Sequence, residues 1–182
     1  FASVSDQLDH QAHAIWAHME PILEQTSILF PDSTAIHFFS DSPSSQYRNR
    51  LNIYLFKTMM PTFFPKLQNM TWNFTEAGHG KGPMDGVGGT LKREADRKVL
   101  HGSDITCAKD FITKLEDCKI DLFEIQAQRI EDLKSHVNSC NVVPIPGIMG
   151  VHQITWQISG VMFARSLSCF SCPTTERCKH YN

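Results

Sequence analysis

Thr34-Ala35-Ile36-His37-Phe38-Phe39-Ser40-Asp41-Ser42-Pro43-Ser44-Ser45 carries the pattern on which the fold turns. A short apolar, β-prone run is bounded by Pro31-Asp32-Ser33 before it and Asp41-Ser42-Pro43 after it, which predicts a buried strand over 34–40 ending in a loop. Ser44 and Ser45 supply capping chemistry for a helix over 45–60, with Tyr47, Leu51, Tyr54, Leu55 and Met59 on its inner side. A strand feeding a helix is the unit of α/β layer architecture. A carboxylate placed where such a strand ends is held by a rigid element yet emerges at the sheet edge, where open α/β sheets take their ligands.

On the N-terminal side, Leu8, Ala12, Ile15, Trp16, Met19, Ile22 and Leu23 repeat at helical spacing and predict an amphipathic helix over 8–23. Phe1 to Ser5 reads as the tail of a strand already in progress, so the first strands of the sheet are expected to precede Phe1. On the C-terminal side, Asn69 to Glu76 alternates polar and apolar residues and predicts a second strand. A Gly-rich loop over 78–89 follows, then helices over 90–100, 104–117 and 124–137, with an extended link over 120–125. The character changes at Pro144-Ile145-Pro146-Gly147, after which 151–159 and 161–168 read as a hairpin turning near Gly160. The expected division is an α/β unit over 1–143 and a hairpin with a Cys-rich tail over 144–182.

Composition narrows the function classes. The 182 residues suit one ordinary domain. With 41% hydrophobic residues and twelve Phe, the chain has too much apolar material for disorder. The formal net charge of -2 means that nucleic-acid binding would rest on local basic patches. No apolar run is long enough for a membrane span, and no signal-peptide pattern opens the chain. Three of the six cysteines crowd into the tail, which is not the pattern of a small disulfide scaffold; an intracellular, reducing compartment is expected. The triplets Asn69-Met70-Thr71 and Asn73-Phe74-Thr75 are glycosylation acceptors only in a secreted glycoprotein, the reading that runs against this.

Four constellations carry chemistry. Asp41, at the end of the first internal strand, is either a hard oxygen ligand for Mg²⁺ or Mn²⁺ or an Asx-type cap. In Gly78-His79-Gly80-Lys81-Gly82-Pro83-Met84-Asp85-Gly86-Val87-Gly88-Gly89, glycines allow close backbone approach to a phosphate, although the spacing is not that of a nucleotide-binding loop. Lys92, Arg93, Arg97 and Lys98 follow, as a phosphate-contacting face or a solvated one diluted by Glu94 and Asp96. In the tail, Cys169-x₂-Cys172 with Cys178 and His180 offers four tetrahedral ligands for Zn²⁺, against free or disulfide-bonded thiols.

Two of these stretches resemble a known group when taken together. Ser40-Asp41-Ser42-Pro43-Ser44-Ser45-Gln46-Tyr47-Arg48-Asn49-Arg50 and His79 to Arg93 are similar to paired blocks of transposon-encoded animal proteins, which themselves resemble DDE-type transposases. The resemblance implies an RNase H-like fold, a mixed sheet flanked by helices, and metal-dependent phosphodiester cleavage or strand transfer on DNA. It implies Asp41 as the second acidic position and Asp85 as the third, with Glu76 and Asp96 competing, and the first on a strand before Phe1. It further implies nucleic-acid contacts from Gln46, Arg48, Asn49, His79, Lys81, Lys92 and Arg93, and a nuclear location. Ser42 stands where the block usually has Gly. A domesticated relative that binds DNA or protein without catalysis is the alternative.

Overall fold

The computed structural model describes residues 1–76 and 82–181. In chain order these form β1 (Ala2–Val4), α1 (Ala12–Leu29), β2 (Ala35–Ser40), α2 (Arg50–Phe63), β3 (Asn69–Phe74), α3 (Pro83–Leu100), α4 (Ala108–Lys114), β4 (Leu122–Glu124), α5 (Ala127–Ser139), a 3₁₀ turn at Ile148–Gly150, β5 (Gln153–Gln157) and β6 (Met162–Arg165). The protein is mixed α/β, as the strand–helix alternation predicts.

The main sheet runs β2-β3-β5-β6. β2 and β3 are parallel, with Phe38 opposite Trp72. β5 returns antiparallel to β3, and β6 folds back on β5 through a turn whose Gly160 has φ of 80°. That conformation costs a non-glycine residue of order 1 kcal/mol. β1 and β4 form a separate parallel pair. The hairpin therefore continues the sheet across the boundary expected at 143/144.

The two faces of the sheet differ by the period-2 rule. Ile36, Phe38, Met70, Trp72, Phe74, Ile154 and Trp156 point toward α1 and α2 and belong to the core with Trp16, Leu55, Phe56 and Met60. Phe38 stacks on Trp72 at 4.9 Å, and Phe56 meets both edge-on. A polar bond crosses this core: Trp16 Nε1 donates to Asn52 Oδ1 at 2.7 Å. The opposite face is a polar ladder. Asn73 donates to Thr71 Oγ1, Gln153 donates to Asn73 Oδ1 at 2.8 Å, and Arg165 donates to Gln153 Oε1. The C-terminal tail covers it, and Thr155 donates to the carbonyl of Thr174.

Three expectations need correction. β2 is not buried: alternate residues are exposed, because Ile36 and Phe38 face the core while Ala35, His37 and Phe39 lie on the opposite face. The helix expected at 8–23 runs over Ala12–Leu29. The Gly-rich stretch is not a loop as far as Gly89: α3 starts at Pro83 and takes Gly86, Gly88 and Gly89 into its first turns. Proline suits the first helical position because its missing N–H has no intrahelical partner there anyway.

Candidate metal centre and acidic cleft

The tail builds the best-defined site. After β6 the chain folds so that the Sγ atoms of Cys169, Cys172 and Cys178 and a ring nitrogen of His180 all lie within 4.8 Å of one another. His180 Nδ1 is 3.4 Å from both the Cys169 and the Cys172 sulfur. A tetrahedral zinc ion, with Zn–S about 2.3 Å and Zn–N about 2.0 Å, holds its ligand atoms roughly 3.5–3.8 Å apart. The three cysteines are buried and His180 is exposed. This Cys₃His cluster could bind a metal such as zinc.

Backbone amides tune the sulfurs. Lys179 N–H points to the Cys172 sulfur and Tyr181 N–H to that of Cys178. The backbone N–H of Cys172 leads the groups that hold the Cys169 thiol below its ordinary value, outweighing its desolvation; Ser171 N–H and the neighbouring thiols add to it. Thiolate is the metal-binding form, so each of these bonds favours a ligand. All six cysteines are free thiols.

The second site is a cleft of about 510 Å³ lined by Ser3, by Ile15, His18, Met19 and Ile22 of α1, by Phe38 to Asp41, by Gln46, Tyr47 and Trp72, and by Met84 and Asp85. Asp41 and Asp85 thus enter one cavity from the end of β2 and the start of α3. Burial, with the Asp41 charge second, raises the Tyr47 hydroxyl above its ordinary value. Among the described residues the Asp41 carboxylate makes one long contact, from Thr75 Oγ1 at 3.5 Å. Asp85 is partly committed: Oδ2 accepts from Gly82 N–H at 2.9 Å and caps α3. Among the described residues neither Asp41 nor Asp85 belongs to a group of three or more His, Cys or acidic side chains that could hold a metal ion. Of the rivals to Asp85, Glu76 is bonded to His152 at 2.8 Å and Asp96 is exposed on α3; neither lines the cleft.

The residues expected to contact nucleic acid divide. Gln46 lines the cleft, and Lys92 and Arg93 are exposed on α3. Arg48 does not suit the role: it is 6% exposed, donates to the carbonyl of Met149 at 2.7 Å and lies over the Phe74 ring. Asn49 is the N-cap of α2, accepting from Asn52 N–H, so the cap is not Ser44 or Ser45. His79 and Lys81 lie outside the described residues. Asn73, one of the two glycosylation-type asparagines, is 2% exposed and hydrogen-bonded in the sheet, where no glycan fits.

Sequence reasoning missed Arg165, Gln153 and His18. A lone Arg after an apolar strand carries no spacing signal, since its partners are placed only by the folded tail. His18 had the better clue, lying at helical spacing to Ile15 and Ile22.

The family described as Domain of unknown function (DUF8701) matches residues 1–168, and the chain belongs to it. The four residues of the Cys/His cluster follow the matched span. No curated protein and no solved structure matches the chain.

Proposed function

We propose that this DUF8701 member is part of an RNase H-like, transposase-derived nuclease domain acting on DNA, with a zinc-stapled tail. The observation that carries the reading is the shared cleft of Asp41 and Asp85. Two carboxylates held by separate rigid elements fit an oxygen-seeking divalent ion such as Mg²⁺ or Mn²⁺. Asp41 offers Oδ2, with Oδ1 held only by the long contact from Thr75, and Asp85 offers the oxygen not bonded to Gly82. Such an ion would supply charge neutralisation at a scissile phosphate. Gln46 in the cleft, with Lys92 and Arg93 on exposed α3, would position the DNA backbone.

Sheet topology supports the RNase H-like part of the reading. Among the described residues β1 pairs only with β4, and β2 only with β3, yet Ser3 of β1 and Phe38 to Ser40 of β2 line the same cavity. Strands seated there would join the two sheets and bring their residues beside Asp41. The expected location is nuclear. Among the described residues no helix is long and apolar enough to cross a membrane.

The cap made by Asp85 favours one competitor, a relative that binds DNA without cutting it. Nicking of supercoiled duplex DNA by the full-length protein in Mg²⁺ or Mn²⁺ separates the two. Loss of nicking in Asp41→Ala and Asp85→Asn supports the nuclease. Metal-independent DNA binding without nicking supports the binding module, and variants that cut like the wild type remove both carboxylates from the mechanism.

A further inference from the structure

We propose that Arg165 is the counter-cation and clamp of an anionic Cys₃His zinc centre. This inference rests on the zinc reading of the tail. Arg165 ends β6 and is 3% exposed, so its charge lies out of water. Nη1 donates to Gln153 Oε1 at 3.0 Å and to the carbonyl of Cys169 at 2.8 Å. Nη2 donates to the carbonyls of Pro173 at 2.6 Å and Glu176 at 3.2 Å. Every one of these acceptors is neutral, and among the described residues Nε has no hydrogen-bond partner. A buried cation with no opposite charge is costly, by several kcal/mol even after relaxation.

The metal centre supplies the missing charge. Three thiolates and a neutral imidazole around a divalent ion carry a net charge of -1. That charge forms within the loop that Arg165 grips, since its three carbonyl acceptors interleave with ligands Cys169, Cys172 and Cys178. Arginine suits the task, because its planar fork reaches several acceptors at once and it does not lose its proton. Gln153 completes the clamp, accepting from Cys169 N–H at 3.2 Å while donating to Asn73 in β3. Metal occupancy is thereby tied to the register of the β5–β6 hairpin.

The test is zinc affinity by competition with a chromophoric chelator under reducing conditions, for the full chain and for Arg165→Lys and Arg165→Gln. Groups that orient metal ligands typically contribute about 10–100-fold in affinity. Arg165→Lys keeps the charge and loses the fork, so it should fall near the low end; Arg165→Gln loses both and should fall near the high end. The visible spectrum of the cobalt-substituted proteins should keep its thiolate signature in both variants, because the ligands themselves are untouched. Wild-type affinity in both variants overturns the role of Arg165. If Arg165→Gln fails to fold, Arg165→Lys decides alone. A wild-type chain that takes up no zinc refutes the zinc reading itself, a result distinct from unchanged affinity in the variants.

Discussion

The carboxylate of Asp85 reaches back to the N–H of Gly82, 2.9 Å away, and closes the first turn of α3. The same side chain lines the cleft that holds Asp41. A cap and a metal ligand make different demands, and substitutions separate them. Asparagine keeps an acceptor for Gly82 but loses the charge. Alanine loses both, and the lost cap costs about 0.5–2 kcal/mol of helix stability. Asp85→Asn is therefore expected to fold with near wild-type thermal stability while losing DNA nicking by about 100-fold or more, equivalent to ~2.7 kcal/mol of transition-state stabilisation. Undiminished nicking by Asp85→Asn would reduce Asp85 to a cap.

Zinc removal tests the tail. A metal that binds only the folded state stabilises it by about 4 kcal/mol at a thousandfold excess over Kd. Chelation should lower the melting temperature, and restoring zinc, but not magnesium, should reverse the loss. Cys172→Ser should behave like the chelated protein and respond little to added zinc. A melting curve that ignores both chelator and zinc would show that the cluster holds no structural ion.

The elements that were legible in the sequence are those set by local pattern. β2 and β3 follow from a bounded apolar run and an alternating one, and the Cys169-x₂-Cys172 spacing announced the tail. The start of α3 was hidden because Gly86, Gly88 and Gly89 each disfavour helix by about 1 kcal/mol relative to Ala. Pro83 and Asp85 were the start signals that outweighed them. Arg48 misled for another reason: in sequence it looks like a free cation, while its burial comes from Phe74 and from Met149, 101 positions away. The pairing of β1 with β4 has the same non-local origin, joining Ala2 to Leu122. Patterns report what neighbours along a chain do, and such contacts are not neighbours.

Removing the polar bond between Trp16 and Asn52 in the core has a calculable direction. Asn52 is fully buried, accepts from Trp16 Nε1 at 2.7 Å and donates to the carbonyl of Tyr47 at 2.8 Å. Asn52→Ala leaves the buried indole N–H of Trp16 without its acceptor, while the Tyr47 carbonyl still accepts from Asn49 N–H at 3.0 Å. An orphaned buried group costs about 1–3 kcal/mol. Adding Trp16→Phe to Asn52→Ala removes the indole donor too, so the double variant should lose less than the sum of the singles. Urea midpoints across the four proteins give the coupling, and strict additivity would mean that the bond contributes nothing to stability.

His18 gives the fold a pH dependence with a definite sign. It sits where α1 faces β1, with Nδ1 3.0 Å from Ser3 Oγ, and it lines the cleft. Burial holds its pKa below the ordinary value of 6.5. The unfolded chain therefore binds a proton at this position at a higher pH than the folded one. Its contribution to stability is fully present above pH 6.5, is lost as the pH falls through 6.5 toward the lower folded value, and changes no further below that. Histidine-to-glutamine substitution removes the titration and keeps a hydrogen-bonding side chain of similar length. Urea unfolding from pH 7.5 down to about 5 should show a shallower loss of stability in His18→Gln than in the wild type. Parallel curves would mean that His18 protonates as readily in the folded protein as in the unfolded chain.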